Sequence, residues 1–312
     1  MILPCPENPQ SWNHRPITWM LVFLNIAVFL IFFADAPASP TMDLVKEKNL
    51  ETAGRAFLQM IAVSPEEVRE KTPDWIFEVS TSRSVDLQLI GYYAVRQSFF
   101  LEGVSSFAFH GDEVALAELR KSVATFQDKF SEDRLHRFGL SPLRNQSFAW
   151  LTYQFSHIGF LHLASNLVFL IFIGWAIEGL FGGTVLLILY LMGGIAGGVF
   201  FLGLFPGSYI PMVGASGSVS ALIAFYALAE PKWRIRYYYL LFPTPGLNGF
   251  IYLPTLLILP LYLLADATGL LASPDGLMTG VAYSAHLGGA AFGAIAALLV
   301  RGLSLVRINR TS

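Results

Sequence analysis

The chain has 312 residues, of which 54% are hydrophobic and 13% are charged, and its mean hydropathy is +0.55. This composition excludes an ordinary soluble globular protein and is typical of an integral membrane protein. The formal net charge of −2 indicates no class of partner, and a single cysteine, Cys5, excludes an internal disulfide bond.

The first 150 residues fall into three segments. Residues 1–16 are a short polar leader, which we predict to be cytoplasmic. The uncharged run 17–33 is close to the ~20 residues that span a bilayer, and it lacks a small-residue cleavage site, so we predict a first transmembrane helix there. Residues 34–150 are mixed and charged, and we predict a large, helical, extracytoplasmic insert. After Asp112, apolar residues at spacings of three and four predict an amphipathic helix whose apolar face packs against neighbouring structure.

The chain from residue 151 to residue 304 is almost wholly apolar. We predict that this core contains five further transmembrane helices, near 158–178, 184–205, 213–229, 249–265 and 281–300, followed by a cytoplasmic tail at 305–312. With the first helix they make six, so that the predicted fold class is an all-α, six-helix membrane bundle.

The placement of charged residues agrees with an even number of spans. Six spans bring the leader with Arg15, the basic segment Lys232–Arg236 and the arginines after the last span to the cytoplasmic side, as the positive-inside rule requires. The loop near Asp266 to Asp275, which carries only acids, is then predicted to lie outside, together with the insert.

Polar residues are costly inside a membrane and therefore mark candidate functional positions. The second span carries His157, His162 and Asn166, and residues four apart on a helix share a face. A zinc site is disfavoured, because no cysteine or carboxylate lies at ligand spacing and an amide is a poor zinc ligand, so we predict no metal. Two interpretations stay open here: these side chains donate hydrogen bonds to a developing oxyanion, or they only join helices.

A serine and a histidine in two other spans can act as nucleophile and base. Ser216 stands at the start of the fourth span, where free backbone N–H groups and the positive end of the helix dipole face the reacting oxygen. His286 lies in the sixth span, and histidine titrates in the range that a general base needs. Gly289 and Gly293 form a small-xxx-small pattern that lets this helix approach another closely. Because the predicted spans contain no acid to orient the histidine, we predict a dyad and not a triad.

Taken together, these motifs resemble the rhomboid family of intramembrane serine proteases, in its six-span bacterial type. The resemblance covers the first span and about 135–300, and it rests on His157-x4-His162-x3-Asn166, Gly214-Ala215-Ser216-Gly217 and Ala285-His286-x2-Gly289-x3-Gly293. It implies that Ser216 is the nucleophile and His286 the general base. It also implies an oxyanion hole made by His162, Asn166 and the Ser216 backbone N–H, with supporting residues at His157, Glu178, Gly214, Gly217, Gly289 and Gly293.

The activity implied by the resemblance is hydrolysis of peptide bonds in or near transmembrane segments of other membrane proteins. The expected partners are transmembrane protein substrates and membrane lipid, without nucleic acid, metal or cofactor, and the expected location is the bacterial inner membrane. The alternative is an inactive relative that binds transmembrane helices without cleaving them. Such relatives lose the serine or the histidine, and this chain keeps both. A transporter is the weaker interpretation, because internal repeats and charged residues in mid-span are lacking.

One departure from the family pattern concerns the orientation of His286. Ser220 stands where the family often has an aromatic residue that stacks on the catalytic histidine. Without that ring, and without an acid in the predicted spans, the sequence shows no group that would hold the imidazole in place.

Overall fold

A computed structural model of the chain describes residues 2–4, 14–34, 44, 47–70, 72–81, 85–130, 133–142, 147–204, 211–229, 234–240, 248–272 and 281–311. The chain divides into two compact units. The first comprises Met1–Asp35, Gln146–Leu204 and Met212–Ser312, and the second comprises Ala36–Asn145 and Phe205–Pro211.

The elements in chain order are β1 (Ile2–Pro4), α1 (Pro16–Phe32), α2 (Glu47–Val63), α3 (Glu66–Glu70), α4 (Asp74–Thr81), α5 (Leu87–Ala94), α6 (Ser98–Gly103), α7 (Glu113–Phe130), α8 (Arg134–Phe138), α9 (Ala149–Thr152), a 3-10 helix (Tyr153–Phe155), α10 (Phe160–Phe181), α11 (Gly183–Leu204), α12 (Ser216–Ala229), β2 (Arg234–Leu240), β3 (Asn248–Pro254), α13 (Thr255–Ala272) and α14 (Tyr283–Thr311).

Apolar helices dominate the first unit, and the predominantly helical fold that we predicted is confirmed. Among the described residues, three helices are long and apolar enough to cross a membrane: α10, α11 and the Tyr283–Gly302 part of α14. Helices α1 and α12, and the Pro260–Leu271 part of α13, are apolar but shorter. The count of six spans therefore stays a prediction.

The outer faces of these helices are apolar, as well as the faces that pack inside. Phe23, Ile31, Leu261 and Leu298 are large hydrophobic side chains that the unit leaves exposed. Exposure of this kind is unfavourable in water, whereas lipid chains accept it, and a helix satisfies its own backbone hydrogen bonds in lipid. The first unit thus has the surface of a membrane protein.

Close helix packing in the first unit depends on small residues. A Cβ on Gly193 would overlap the side chain of Ala221, and a Cβ on Gly197 would lie 2.7 Å from the carbonyl oxygen of Ala285. Between helices in lipid, van der Waals contact replaces the hydrophobic effect as the main attraction, so backbones that approach closely stabilise the bundle. Helices α11, α12 and α14 form such a group, and α12 is buried along nearly its whole length.

A small sheet in the first unit departs from the all-α prediction. Strands β1, β2 and β3 form a three-stranded antiparallel sheet in that order, in which Ile2 pairs with Tyr239 and Tyr237 pairs with Ile251. The segment that forms β3 is apolar, and hydropathy alone does not distinguish a short apolar strand from the start of a helix.

The same strand shows that the predicted fifth span was wrong at its start. We predicted a helix at 249–265, whereas residues 248–254 are β3 and the helix is Thr255–Ala272. The aromatic and β-branched residues of β3 favour a strand, and Pro254 cannot donate to a continuing ladder. The helix is therefore shifted toward the C-terminus, and Asp266, which we had predicted to lie in an outer loop, is a buried residue of α13.

The second unit is built from helices α2 to α8. In α7, the side chains of Leu119, Val123 and Phe126 are buried, and Asp112 accepts hydrogen bonds from the backbone N–H groups of Val114 and Ala115. Asp112 is thus the N-cap of this helix, as its position in the sequence indicates. Helix α7 packs against α2, so that its apolar face is covered within its own unit. The extracytoplasmic location of the insert remains a prediction.

Candidate active site

Ser216 is the first residue of α12, directly after a tight turn that glycine makes possible. Gly214 has φ +121°, a conformation that favours glycine, and its backbone N–H donates to the carbonyl oxygen of Tyr153 at 2.9 Å. A Cβ placed on Gly214 would lie 2.8 Å from His162 Nε2 and 3.9 Å from Ser216 Oγ. The imidazole of His162 and the hydroxyl of Ser216 therefore border the same small space, and glycine at 214 keeps that space open.

His157 supports the turn that carries Ser216. The ring is fully buried, its Nδ1–H donates to the carbonyl oxygen of Phe155 at 3.2 Å, and its Nε2 accepts from the backbone N–H of Ala215 at 3.4 Å. One donating and one accepting nitrogen are those of a neutral imidazole.

His162 and Asn166 lie one turn apart on α10, as the sequence predicts. Asn166 is buried, and its Nδ2 donates to the carbonyl oxygen of His162 at 2.9 Å. An amide group has two N–H donors, and this bond uses one of them. The imidazole of His162 packs edge-on against His157, with ring centroids 5.1 Å apart. The two residues share one face of α10, and their role as oxyanion donors stays a prediction.

The histidine of the proposed pair reaches the site through glycine contacts. A Cβ on Gly289 would overlap the carbonyl oxygen of Gly217, and a Cβ on Gly293 would overlap that of Ala221. Helix α14 thus lies directly against the first turns of α12, which brings His286 to the interface that begins at Ser216. His286 is buried there.

The structure places an acid beside His286, where we had predicted none. Oδ1 of Asp266 lies 2.9 Å from Nδ1 of His286, and both side chains are buried. The prediction of a site without an orienting acid was wrong, because the predicted fifth span began too early and ended at residue 265, which left Asp266 in an outer loop. The sequence offered one signal: Asp266 directly follows an apolar run, and the hydropathy does not fall sharply enough there to end a helix.

An aromatic ring also stacks on His286, and it comes from an unexpected helix. Tyr262 of α13 lies with its ring centroid 6.1 Å from that of His286 at an interplanar angle of 27°. The hydroxyl of Tyr262 pairs with Ser220 Oγ at 2.9 Å. Ser220, which lacks the family's usual aromatic side chain, thus binds the tip of a ring that another helix supplies.

Two further groups brace the helices around the site. The Glu178 carboxylate accepts hydrogen bonds from the backbone N–H groups of Ile17 and Thr18, at 3.0 and 2.8 Å, and so ties the start of α1 to the end of α10. Sequence reasoning did not identify Gln154. Its Oε1 accepts from Ser218 Oγ at 3.0 Å and its Nε2 donates to the carbonyl oxygen of Leu191, which joins α12 to α11.

Comparisons with known proteins agree with this architecture. The family of the Rhomboid domain matches residues 144–303, about half of the chain. RHOMBOID-like protein 12, mitochondrial, of Arabidopsis thaliana is 33% identical over 190 residues, which cover 56% of this chain and 49% of that protein. The chain thus matches about half the length of this relative. Among the described residues, no group of three or more histidine, cysteine or acidic side chains is arranged to hold a metal ion.

Proposed function

The chain belongs to the rhomboid family, and from this membership we propose that it is a serine protease that cleaves peptide bonds in or near transmembrane segments of other membrane proteins. The family also includes inactive members, so the proposal needs support from the site itself. Its main support is that Ser216 and His286 belong to one helix interface. Ser216 is the first residue of α12, and α14, which carries His286, packs against that end of α12 through Gly289.

In the proposed reaction, Ser216 Oγ attacks the carbonyl carbon of the scissile bond while His286 takes the hydroxyl proton. The negative charge that develops on the carbonyl oxygen is stabilised by the Ser216 backbone N–H, His162 and Asn166. His286 then gives its proton to the leaving amine as the C–N bond breaks. Water hydrolyses the acyl-enzyme by the same route, which restores both residues.

The substrates that we propose are transmembrane helices of other proteins, and membrane lipid surrounds the protein. No metal, cofactor or nucleic acid takes part in this proposal. We further propose that the protein resides in the inner membrane of a bacterium. The Arabidopsis relative carries a mitochondrial name, so fractionation of cells that express the native protein is the direct test of this location.

Labelling by a serine-directed fluorophosphonate tests the proposed chemistry without knowledge of the substrate. The wild-type protein in detergent should be labelled at Ser216, as mass spectrometry of the modified peptide would show. Ser216→Ala and His286→Ala should each lose the label. A protein that folds normally, keeps both residues and takes no label would be an inactive helix-binding relative instead.

A further inference from the structure

Asp266 stands where the third member of a serine-protease triad would be required. Its Oδ1 lies 2.9 Å from Nδ1 of His286, and the two side chains are only 7% and 11% exposed. We propose that Asp266 is a positioning residue, which holds His286 in the tautomer and orientation that a general base needs. This inference rests on the proposed protease function and deepens it, because it replaces the predicted dyad with the triad Ser216–His286–Asp266.

The hydrogen bond decides which nitrogen of His286 can act on Ser216. A carboxylate can only accept, so Nδ1 carries the proton that it donates to Asp266. Nε2 is then the nitrogen with the free electron pair, and a base needs that pair to take the Ser216 proton. Without the carboxylate, the neutral ring could place its proton on either nitrogen, and the form with Nε2–H cannot act as a base.

Helix α13 fixes the ring of His286 in two ways at once. Tyr262, Asp266 and Gly269 share one face of α13, because they are four and three residues apart. The Tyr262 ring stacks on the imidazole, which sets its plane, and the Asp266 carboxylate sets its rotation within that plane. A Cβ on Gly269 would overlap the ring of Tyr283, so glycine there lets α13 lie close to α14.

A purely structural role explains Asp266 less well. A buried carboxylate carries a large desolvation cost, and a neutral side chain would join two helices by a hydrogen bond at lower cost. Oδ2 of Asp266 is also buried, and it has no hydrogen-bond partner among the described protein atoms. An acidic residue that is kept under these conditions, as Asp266 is, is a candidate functional residue.

The proposed step balances in atoms and charge. As the bond from Ser216 Oγ to the carbonyl carbon forms, the hydroxyl proton moves to Nε2 of His286, and the ring becomes an imidazolium. Asp266 faces this positive charge and stabilises it without taking a proton itself. When the C–N bond breaks, the proton passes from Nε2 to the leaving amine, and the ring returns to its neutral form.

The test compares Asp266→Asn, Asp266→Glu and the wild type by the time course of fluorophosphonate labelling, and by kcat and KM for a single-span substrate. The end-point of labelling measures the folded fraction, and the rate constant measures the reactivity of each folded molecule. Thr268→Val is the matched control, because it alters a residue of the same helix that lies on the opposite side from Asp266. Asp266→Ser serves as the neutral variant if Asp266→Asn does not fold.

We expect Asp266→Asn to lower kcat and the labelling rate constant by about 10²–10⁴-fold, with KM changed much less. Asp266→Glu, which keeps the carboxylate, should recover part of this loss, and Thr268→Val should match the wild type. Equal rate constants for the neutral variant and the wild type would overturn the triad and leave the proposed protease function intact. Equal losses in the neutral variant and in Asp266→Glu would do the same. A wild-type protein that takes no label would overturn the proposed function, and the triad with it.

Discussion

In the proposed reaction, Ser216 gives up a proton and His286 takes it, so the effects of replacing the two residues should not add. We predict that Ser216→Ala and His286→Ala each abolish cleavage of a single-span test substrate, and that the double variant is no slower than either. Initial rates of product formation measure this directly. Near-normal turnover by His286→Ala would show that another group is the base.

Asn166 makes a structural hydrogen bond to His162 and has a proposed role as oxyanion donor, and a neighbouring serine allows the two to be told apart. We predict that Asn166→Ala lowers kcat by a factor on the order of 10²–10³, because the developing oxyanion loses a donor. Ser165 also donates to the carbonyl oxygen of His162, at 3.0 Å, and it is exposed. Ser165→Ala therefore removes a comparable hydrogen bond to the same carbonyl oxygen and leaves the proposed oxyanion hole unchanged.

The measurement for Asn166 combines turnover with thermal unfolding in detergent. If the amide were only structural, Asn166→Ala would lose stability and activity in proportion, and Ser165→Ala would resemble it. The proposed role requires a large loss of kcat in Asn166→Ala at a melting temperature close to that of Ser165→Ala.

At the scale of elements, the approach of α14 to α12 is what brings the histidine to the serine. Gly289→Ala would place a Cβ against the carbonyl oxygen of Gly217, so we predict a destabilisation of about 1–3 kcal/mol. Turnover should also fall by about 10²-fold if the overlap moves His286 by roughly 1 Å.

Gly302, in the same helix, is the matched control for Gly289. A Cβ at Gly302 would meet no atom within 4 Å. Gly302→Ala should therefore leave turnover unchanged and raise stability by roughly 0.5–1 kcal/mol, because alanine loses less backbone entropy in a helix. Thermal unfolding and kcat are measured side by side, and equal effects of the two substitutions would contradict the close contact at Gly289.

Sequence reasoning succeeded where local chemistry determines an element, and it failed where tertiary pairing does. The small residues around Ser216 and the spacing of Gly289 and Gly293 were readable, because a tight turn and a close helix contact each need particular residues. The strand β3 was not, since its pairing with β2 is a long-range choice. That one error shifted the predicted helix toward the N-terminus and thereby hid Asp266, and neither Tyr262 nor Gln154 was identified from the sequence.

At the scale of the whole molecule, the prediction to test is the side of the membrane on which each segment lies. We predict that the second unit is extracytoplasmic and that the segment Lys232–Arg236 is cytoplasmic, in line with the positive-inside rule. Residues 230–233 lie outside the described part of the chain, so this prediction rests on sequence alone.

Single cysteines in a Cys5→Ser background test that arrangement. In intact cells, Glu113→Cys should react with a membrane-impermeant thiol reagent, because residue 113 is exposed in the second unit. Lys232→Cys should react only after the cells are permeabilised. The opposite pattern would invert the orientation, and reaction of both cysteines in intact cells would require an even number of spans between them.

The bond between Ser220 and Tyr262 has an evolutionary consequence. An aromatic ring at position 220 would need the space that the Tyr262 hydroxyl fills, so the two positions cannot change independently. Relatives that carry an aromatic residue at the position of Ser220 should lack Tyr262, and those that carry serine there should keep it. A substitution at one of these positions then becomes acceptable only in lineages that already hold the matching residue at the other.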